Sequence, residues 1–116
     1  MKVLHHSNVE LEDVIMEGAE GVKVRWVIAK DDGAPNFAMR IFEVEKEGHT
    51  PYHTHPYEHE VYVLEGKGVL KVEDRQYPFK EGSVILVDPE KQHGFYNTGK
   101  STLKFICVIP HSSGCR

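Results

Sequence analysis

Cysteine is scarce in this sequence, and long apolar runs are missing altogether. The two cysteines are Cys107, inside an apolar segment, and Cys115, beside the C-terminus. This pair does not make the disulfide framework that small secreted domains use. The first residues also lack the basic and apolar pattern of a secretory signal. We therefore expect a cytoplasmic protein in which Cys107 is a buried, apolar side chain.

Positive clusters and membrane-length segments are absent as well. No stretch approaches the roughly 20 apolar residues that a membrane-spanning helix needs. The formal net charge is −4, and lysine and arginine are scattered among acidic residues, whereas nucleic-acid binders usually present a basic face. Glycine-rich phosphate loops and the strand-to-helix turn of a serine nucleophile are missing too. We expect neither a nucleic-acid partner nor a membrane partner.

What the sequence does contain is a series of short strand-like segments separated by turns. Residues 23–29 and 37–45 are rich in strand-forming residues and are closed by polar clusters with glycine or proline. Further segments follow at close spacing, at residues 60–66, 68–74, 77–82, 83–90 and 101–110. Short strands without a crossover helix predict an antiparallel, all-β sandwich or barrel. At 116 residues the chain has room for one such domain, with 111–116 as a C-terminal tail.

The strongest chemical signal is a cluster of histidines at the start of one of these strands. His53 and His55 form an H-x-H pair, and on a strand side chains two apart share a face. His59 follows four residues later, and His93 lies between two predicted strands. Four neutral imidazoles suit manganese, iron, nickel, copper or zinc, and they do not suit calcium or magnesium. The remaining histidines are interpreted as side chains without a ligand role: His5, His6, His49 and His111.

The spacing of these residues resembles the first motif of the cupin family. In that motif a glycine and a spacer precede H-x-H, a glutamate follows, and a second glycine closes the motif. Here Gly48 precedes His53 by one residue fewer than usual, and six residues separate His59 from Gly66. By this count His59 occupies the slot that usually holds glutamate, and Glu60 falls one place later.

The second cupin motif is also present in outline. Gly82 and His93 have the separation that is typical of the family. The interior departs from the pattern, because Pro89 is one position late and Glu90 stands where the second glycine belongs. The resemblance covers roughly residues 22–110 and implies a single double-stranded β-helix barrel, also called a jelly roll.

More narrowly, the chain is similar to small single-domain cupins of thermophiles that hold manganese with four histidines. That resemblance implies metal ligation, with manganese first and iron second, by His53, His55, His59 and His93. In other cupins a glutamate replaces one histidine, and Glu60 would take that role if the strand were shifted by one residue. Candidates to hold the outer imidazole nitrogens are Glu58, Glu60 and Asn97.

The ligand set has consequences for function. Four histidines leave a divalent ion with its full charge and leave two positions open on a six-coordinate metal. Such a centre binds substrate and dioxygen side by side, so the leading hypothesis is an oxidoreductase with dioxygenase-like chemistry on a small organic substrate. The alternatives are a metal- and ligand-binding module without turnover, and a sugar-type isomerase with Glu60 or Tyr62 as its base. If the metal were zinc in tetrahedral geometry, the four histidines would occupy all of its coordination positions, and the site would be structural.

Four residues are candidates for the wall of the pocket: Arg40, Glu60, Phe105 and Cys107. Arg40 interrupts an apolar strand, so it is either an anion anchor in the barrel or a solvent-facing charge. Phe105 and Cys107 share one face of the last strand, where they either approach the metal or simply pack in the core. The exposed edges of a jelly roll also predict a homodimer, with the region around Trp26 as its interface.

Overall fold

The computed structural model describes residues 1–111, and these residues form nine strands. In chain order they are β1 (Glu12–Asp13), β2 (Glu20–Ile28), β3 (Phe37–His49), β4 (His59–Glu65), β5 (Lys67–Val72), β6 (Arg75–Lys80), β7 (Val84–Val87), β8 (His93–Asn97) and β9 (Leu103–Pro110). Two single 3-10 turns, His6–Asn8 and Lys30–Asp32, are the only helical elements in this part of the chain. Within it, no helix has the length and apolarity to cross a membrane.

All strand pairs are antiparallel, and they join into one curled sheet. The order across this sheet is β6-β5-β8-β3-β9-β4-β7, and β2 adds to β3 with β1 on its other side. The long strand β3 connects the two halves, because its first part pairs with β9 and its end pairs with β8. The prediction of a single antiparallel all-β barrel is therefore confirmed. Cys115 and residues 112–116 of the predicted tail lie outside the described residues.

Strict alternation of side chains builds the inside of the barrel. On β9 every second residue is buried, and on β4 His59, Val61 and Val63 are buried while Glu60 and Tyr62 are exposed. Since successive side chains of a strand point to opposite faces, one face of each strand fills the core. The largest fully buried side chains are Phe105, Leu103, Ile109, His93, Val44, Val63, Val87 and Cys107.

Two segments differ from the sequence-based expectation. Residues 93–97 were expected to connect strands, but they form β8, which pairs with β5 over its whole length. Glycine and asparagine are poor strand formers, so the tertiary pairing outweighs local propensity here. Conversely, His53 and His55 do not lie on a regular strand, because only His53 forms a single bridge, to His93.

Asn97, at the end of β8, holds the turn between β8 and β9. Its side chain is buried, and its Nδ2 donates to the carbonyl oxygens of Val44 and Ser101, both at 2.9 Å. Its Oδ1 accepts the backbone N–H of Gly99, also at 2.9 Å. The amide is thus fully engaged with backbone groups, and the sequence-based suggestion that it holds an imidazole of the metal site is wrong.

We expect Asn97→Ala to lower the free energy of unfolding by about 1–3 kcal/mol, because it leaves buried backbone groups without hydrogen-bond partners. Urea titration followed by circular dichroism measures the change. The matched control is Thr98→Ala at the exposed neighbouring position, which should change stability by less than about 0.5 kcal/mol. Equal effects of the two substitutions would contradict this structural role of Asn97.

Candidate metal centre

Four histidines meet at one end of the barrel, and two of them stand on strands. His59 begins β4 and His93 begins β8. The irregular segment before β4 carries His53, whose backbone N–H donates to the carbonyl oxygen of His93 at 3.0 Å and whose carbonyl accepts the N–H of His93 at 2.9 Å. This bridge places His53 and His55 beside His93 although the sequence between them is not a strand.

Three of the four imidazoles are close enough to share one ion. Potential ligand atoms of His53, His55 and His93 all lie within 4.8 Å of one another. His59 joins them through His55, because the Nε2 atoms of these two rings are 2.7 Å apart. The ring centroids of His59 and His93 are separated by 5.1 Å.

Backbone carbonyls determine which nitrogen of two of these rings carries the hydrogen. Nδ1 of His55 lies 3.0 Å from the carbonyl oxygen of Tyr57, and Nδ1 of His93 lies 2.8 Å from that of Lys91. Since a carbonyl oxygen only accepts, each Nδ1 donates and each Nε2 keeps a free lone pair. The Tyr57 ring also stacks on His55 with centroids 3.9 Å apart. These contacts orient the rings as metal ligands require.

Burial keeps the histidines neutral. It lowers the pKa of His53, His55 and His93, with the desolvation of the charged ring as the largest cause. For His59 burial acts together with the Arg40 guanidinium, and its pKa falls to about 2. Neutral imidazole is the form that binds metal, so no proton has to leave these rings at neutral pH.

The arrangement fits a divalent transition metal. The Nε2 atoms of His55 and His59 are 2.7 Å apart, so they either share one hydrogen or both direct their lone pairs at one cation. Imidazole nitrogens are the donors that manganese, iron, nickel, copper and zinc accept. The three-histidine cluster of His53, His55 and His93 is thus suited to metal binding, and His59 contacts the cluster through His55.

The histidines lie at the wall of an apolar cavity of about 330 Å³ inside the barrel. Aromatic rings form much of the wall, from Trp26, Phe42, Phe95 and Phe105. Glu12 and Asp13 of β1 also line it. A larger depression of about 690 Å³ opens along β6 and β7, but it contains no histidine. The chemistry of the side chains therefore selects the smaller cavity as the candidate site.

Arg40 of β3 places a positive charge in this cavity. Its guanidinium carbon lies 4.7 Å from the ring centroid of Phe42 and 5.4 Å from that of Trp26. Nη2 donates to the Sγ of Cys107 at 3.0 Å, and buried Nε has no hydrogen-bond partner among residues 1–111. A half-buried cation with a spare donor is suited to holding an anionic group.

The structure brings three of the four sequence-predicted pocket residues to the cavity and leaves one outside. Arg40, Phe105 and Cys107 line it. Glu60 is exposed on the outer face of β4, because His59 takes the inward position in the alternation. Tyr62 shares that outer face. The sequence-based placement of Glu60 in the pocket is therefore not borne out by the geometry.

The remaining histidines lie apart from the cluster. His49 stacks on Tyr96 with centroids 5.1 Å apart, and His111 Nε2 contacts the carbonyl oxygen of Ala34. His5 and His6 are exposed. Trp26, where the sequence suggested a dimer interface, is a wall of the cavity. The inward orientation of Trp26 could have been predicted from the alternation of side chains on β2. The carbonyl groups that orient His55 and His93 could not have been predicted, because every residue has a backbone carbonyl.

Comparison with known proteins agrees with this architecture. The family profile described as Cupin_2, Cupin domain, matches residues 40–109, which is more than half of the chain. The chain belongs to the cupin family. The resemblance seen in the two motifs is thereby confirmed, together with the jelly-roll barrel that it implied.

Several cupins of known structure or curated sequence are similar to this one. The polyketide cyclase RemF from Streptomyces resistomycificus is 38% identical, with a TM-score of 0.89 over 95% of this chain and 79% of that chain. A predicted oxalate decarboxylase from Thermotoga maritima is 25% identical, with a TM-score of 0.84 over 94% and 98%. An oxalate-binding protein from Thermotoga maritima is 38% identical over 58 residues, 49% of this chain. That match spans about half the length of the curated relative, 48%.

Glu90 explains the departure from the second cupin motif. It occupies the slot of the motif's second glycine and adopts φ of 70°, a left-handed conformation that residues other than glycine rarely adopt. Its backbone N–H donates to the carbonyl oxygen of His55 at 2.9 Å, which ties the histidine segment to the β7–β8 turn. The turn thus has the left-handed backbone conformation that is typical of glycine, although the residue is a glutamate.

We expect Glu90→Gly to raise the free energy of unfolding by about 1 kcal/mol, because it removes the cost of a left-handed backbone at a residue with a Cβ. Chemical denaturation of the metal-free protein measures the effect. The control is Glu81→Gly, at an exposed residue without positive φ, which should lower stability by about 0.5–1 kcal/mol. A loss of stability in Glu90→Gly would show that the backbone is not strained there.

Proposed function

We propose that this cupin is a metal-dependent enzyme whose substrate is a small organic anion. The observation that carries the proposal is the convergence of neutral imidazoles beside the half-buried guanidinium of Arg40 in one cavity. In this proposal the metal is held by His53, His55, His59 and His93. Manganese is the first choice and iron the second, by resemblance to other cupins, and nickel, copper and zinc remain compatible with the donors.

Charge balance supports an anionic substrate. Four neutral ligands do not reduce the charge of a divalent ion, and Arg40 adds a further positive charge to the same cavity. Positive charges in an apolar surrounding are costly unless an anion or a dipole compensates them. Glu12 and Asp13 also line the cavity. A substrate with two negatively polarised oxygens would compensate both charges at once.

The chain's own residues provide binding and orientation. When bound, the metal would supply Lewis-acid polarisation of a carbonyl or enol oxygen. The Arg40 guanidinium donates a hydrogen bond to a second oxygen of the substrate. The rings of Trp26, Phe42 and Phe105 surround the carbon skeleton and exclude water. Polarisation of this kind is suited to ring closure or decarboxylation, and the similar proteins named above are a polyketide cyclase and a predicted oxalate decarboxylase.

Dioxygenase-like oxidoreductase chemistry is the second candidate. Its support is the ligand number, since four histidines leave two positions for substrate and dioxygen on a six-coordinate ion. Oxygen uptake in the presence of substrate separates it from the first candidate, and metal binding without turnover would leave a ligand-binding module. The isomerase alternative loses support, because Glu60 and Tyr62, its proposed bases, are exposed on the outer face of β4.

The homodimer and the cytoplasmic setting expected from the sequence stay predictions. One observation relevant to the dimer is an exposed apolar face around edge strand β7. Val84 and Leu86 are 77% and 64% exposed, and Tyr62 on the neighbouring β4 is 47% exposed. Such a face on an edge strand is commonly covered by another chain. The interface would then lie here and not at Trp26.

The metal proposal is tested with two adjacent residues that point in opposite directions. We expect purified parent protein to bind about one equivalent of manganese or iron, and we expect His59→Ala to lose most of it, because a buried ligand is removed. Glu60→Ala should retain the metal, since Glu60 is on the outer face. Metal content by mass spectrometry gives the readout. Loss of metal in Glu60→Ala with retention in His59→Ala would reverse the assignment, and a parent that refuses added metal would end the enzymatic proposal.

The anion proposal is tested with a chelating aromatic acid, 3-hydroxy-2-naphthoate, and its neutral methyl ester as the matched ligand. We expect Arg40→Met to weaken binding of the acid by about 10- to 100-fold, because a charge-assisted hydrogen bond contributes about 1.5–3 kcal/mol. Binding of the ester should change by less than about threefold, and Arg40→Lys should keep part of the affinity for the acid. Isothermal titration with metal-loaded protein measures both ligands. Equal losses for acid and ester would mean that Arg40 only shapes the cavity.

A further inference from the structure

Cys107 connects Arg40 to the histidine cluster. It lies on the inward face of β9, directly opposite Arg40 on β3 and Val61 on β4. Its Sγ is 3.0 Å from Nη2 of Arg40 and 2.9 Å from Nδ1 of His59. The side chain is only 1% exposed. A sulfur that was expected to be plain core thus has two polar contacts, one to the cation of the cavity and one to a proposed ligand.

His59 differs from the other oriented histidines in the partner of its Nδ1. His55 and His93 each direct Nδ1 to a backbone carbonyl two residues away in their own segment. His59 begins a strand, and the backbone carbonyls of a strand point towards the neighbouring strands of the sheet and accept their N–H groups. The contacts of its Nδ1 come instead from side chains of two other strands, Sγ of Cys107 at 2.9 Å and Nη2 of Arg40 at 3.5 Å. Since a guanidinium only donates, the sulfur is the one of the two that can accept an Nδ1–H.

We propose that the sulfur of Cys107 is a positioning residue for the metal ligand His59. In this proposal the sulfur accepts the Nδ1–H of His59 when a metal is bound, so that the lone pair of Nε2 is directed at the metal together with that of His55. The inference rests on the metal centre of the proposed function. It goes beyond that function by assigning to one core residue the tautomer and the orientation of one ligand.

The contact with Arg40 supports the acceptor role of the sulfur. A guanidinium carries only donors, so the Arg40 Nη2 contact uses a lone pair of the sulfur. With His59 as second donor, the sulfur accepts two N–H groups that flank it on the inside of the barrel. A serine hydroxyl at this position offers lone pairs to the same donors, whereas alanine offers none. Serine and alanine therefore separate hydrogen-bond acceptance from space filling.

The competing interpretation is that Cys107 is a small apolar core residue whose contacts are incidental. Under that interpretation Cys107→Ala affects stability only, as any loss of a buried side chain does. Val63→Ala is the matched control for such a loss. Val63 is fully buried on β4 on the same face as His59, and it pairs across the sheet with Phe105. None of its contacts is a hydrogen bond to a histidine ring among the described residues.

The experiment compares the parent with Cys107→Ala, Cys107→Ser and Val63→Ala in two measurements. Proton–nitrogen-15 NMR of the proteins loaded with diamagnetic Zn²⁺ reports, through the rate of exchange with water, whether the Nδ1–H of His59 is held in a hydrogen bond. Electron paramagnetic resonance of free Mn²⁺ reports the affinity for the metal alone. We expect slow exchange of this Nδ1–H in the parent, in Cys107→Ser and in Val63→Ala, and exchange about tenfold faster in Cys107→Ala. We expect Mn²⁺ affinity to fall by about 10- to 100-fold in Cys107→Ala and by less than about threefold in the other two variants.

The two measurements keep this proposal separate from the metal proposal. An Nδ1–H of His59 that exchanges as fast in the zinc-loaded parent as in Cys107→Ala would overturn the positioning role of Cys107. An unchanged Mn²⁺ affinity in Cys107→Ala would overturn it as well, and in either case the metal proposal stands. If the parent binds neither Mn²⁺ nor Zn²⁺, the proposed function fails and the positioning role fails with it. Equal losses of affinity in Cys107→Ala and Val63→Ala would assign the effect to packing and overturn the role.

Discussion

Two backbone hydrogen bonds between His53 and His93 hold the cluster of candidate metal ligands together. They attach the irregular segment between β3 and β4 to the start of β8. The beginning of this segment is attached to β8 by two more hydrogen bonds: the N–H of Thr50 donates to the carbonyl oxygen of Phe95, and the N–H of Phe95 donates to Oγ1 of Thr50. Only His59 and His93 begin regular strands. Without this attachment His53 and His55 would lie on a loop with no defined direction, and the cluster would be reduced to half of its members.

The barrel around this point sets the electrostatics. Burial favours the neutral form of each imidazole, and the Arg40 guanidinium pushes the pKa of His59 further down, to about 2. The same guanidinium is stacked near two aromatic rings and touches Cys107. The cavity thus contains lone pairs that suit a cation and, directly beside them, N–H groups that suit an anion. This combination of acceptors and donors is the physical basis of the proposed substrate class.

Much of this was accessible from the residues themselves. Alternation on β4 and the count of six residues from His59 to Gly66 both place His59 inward and Glu60 outward, as the structure does. Other features were not accessible. The sequence left two interpretations open for Arg40, an anion anchor in the barrel or a solvent-facing charge, and two for Cys107, a pocket residue or plain core. The sequence pattern is the same under both interpretations of each residue. The strand at 93–97 was not predicted from the sequence. Two of its three alternate buried residues, His93 and Asn97, are polar, so it lacks the apolar alternation that is typical of a half-buried strand.

The sequence by itself determined the fold class, the family and the four histidines that are candidate ligands, because side-chain alternation and motif spacing are local properties of the chain. Only the tertiary structure decided which carbonyls orient these histidines, that Arg40 and Cys107 point into the same cavity, and that Trp26 lines it. These relations join residues far apart in the chain, such as His59 and Cys107. They depend on the register of strand pairing, which the whole curled sheet sets at once.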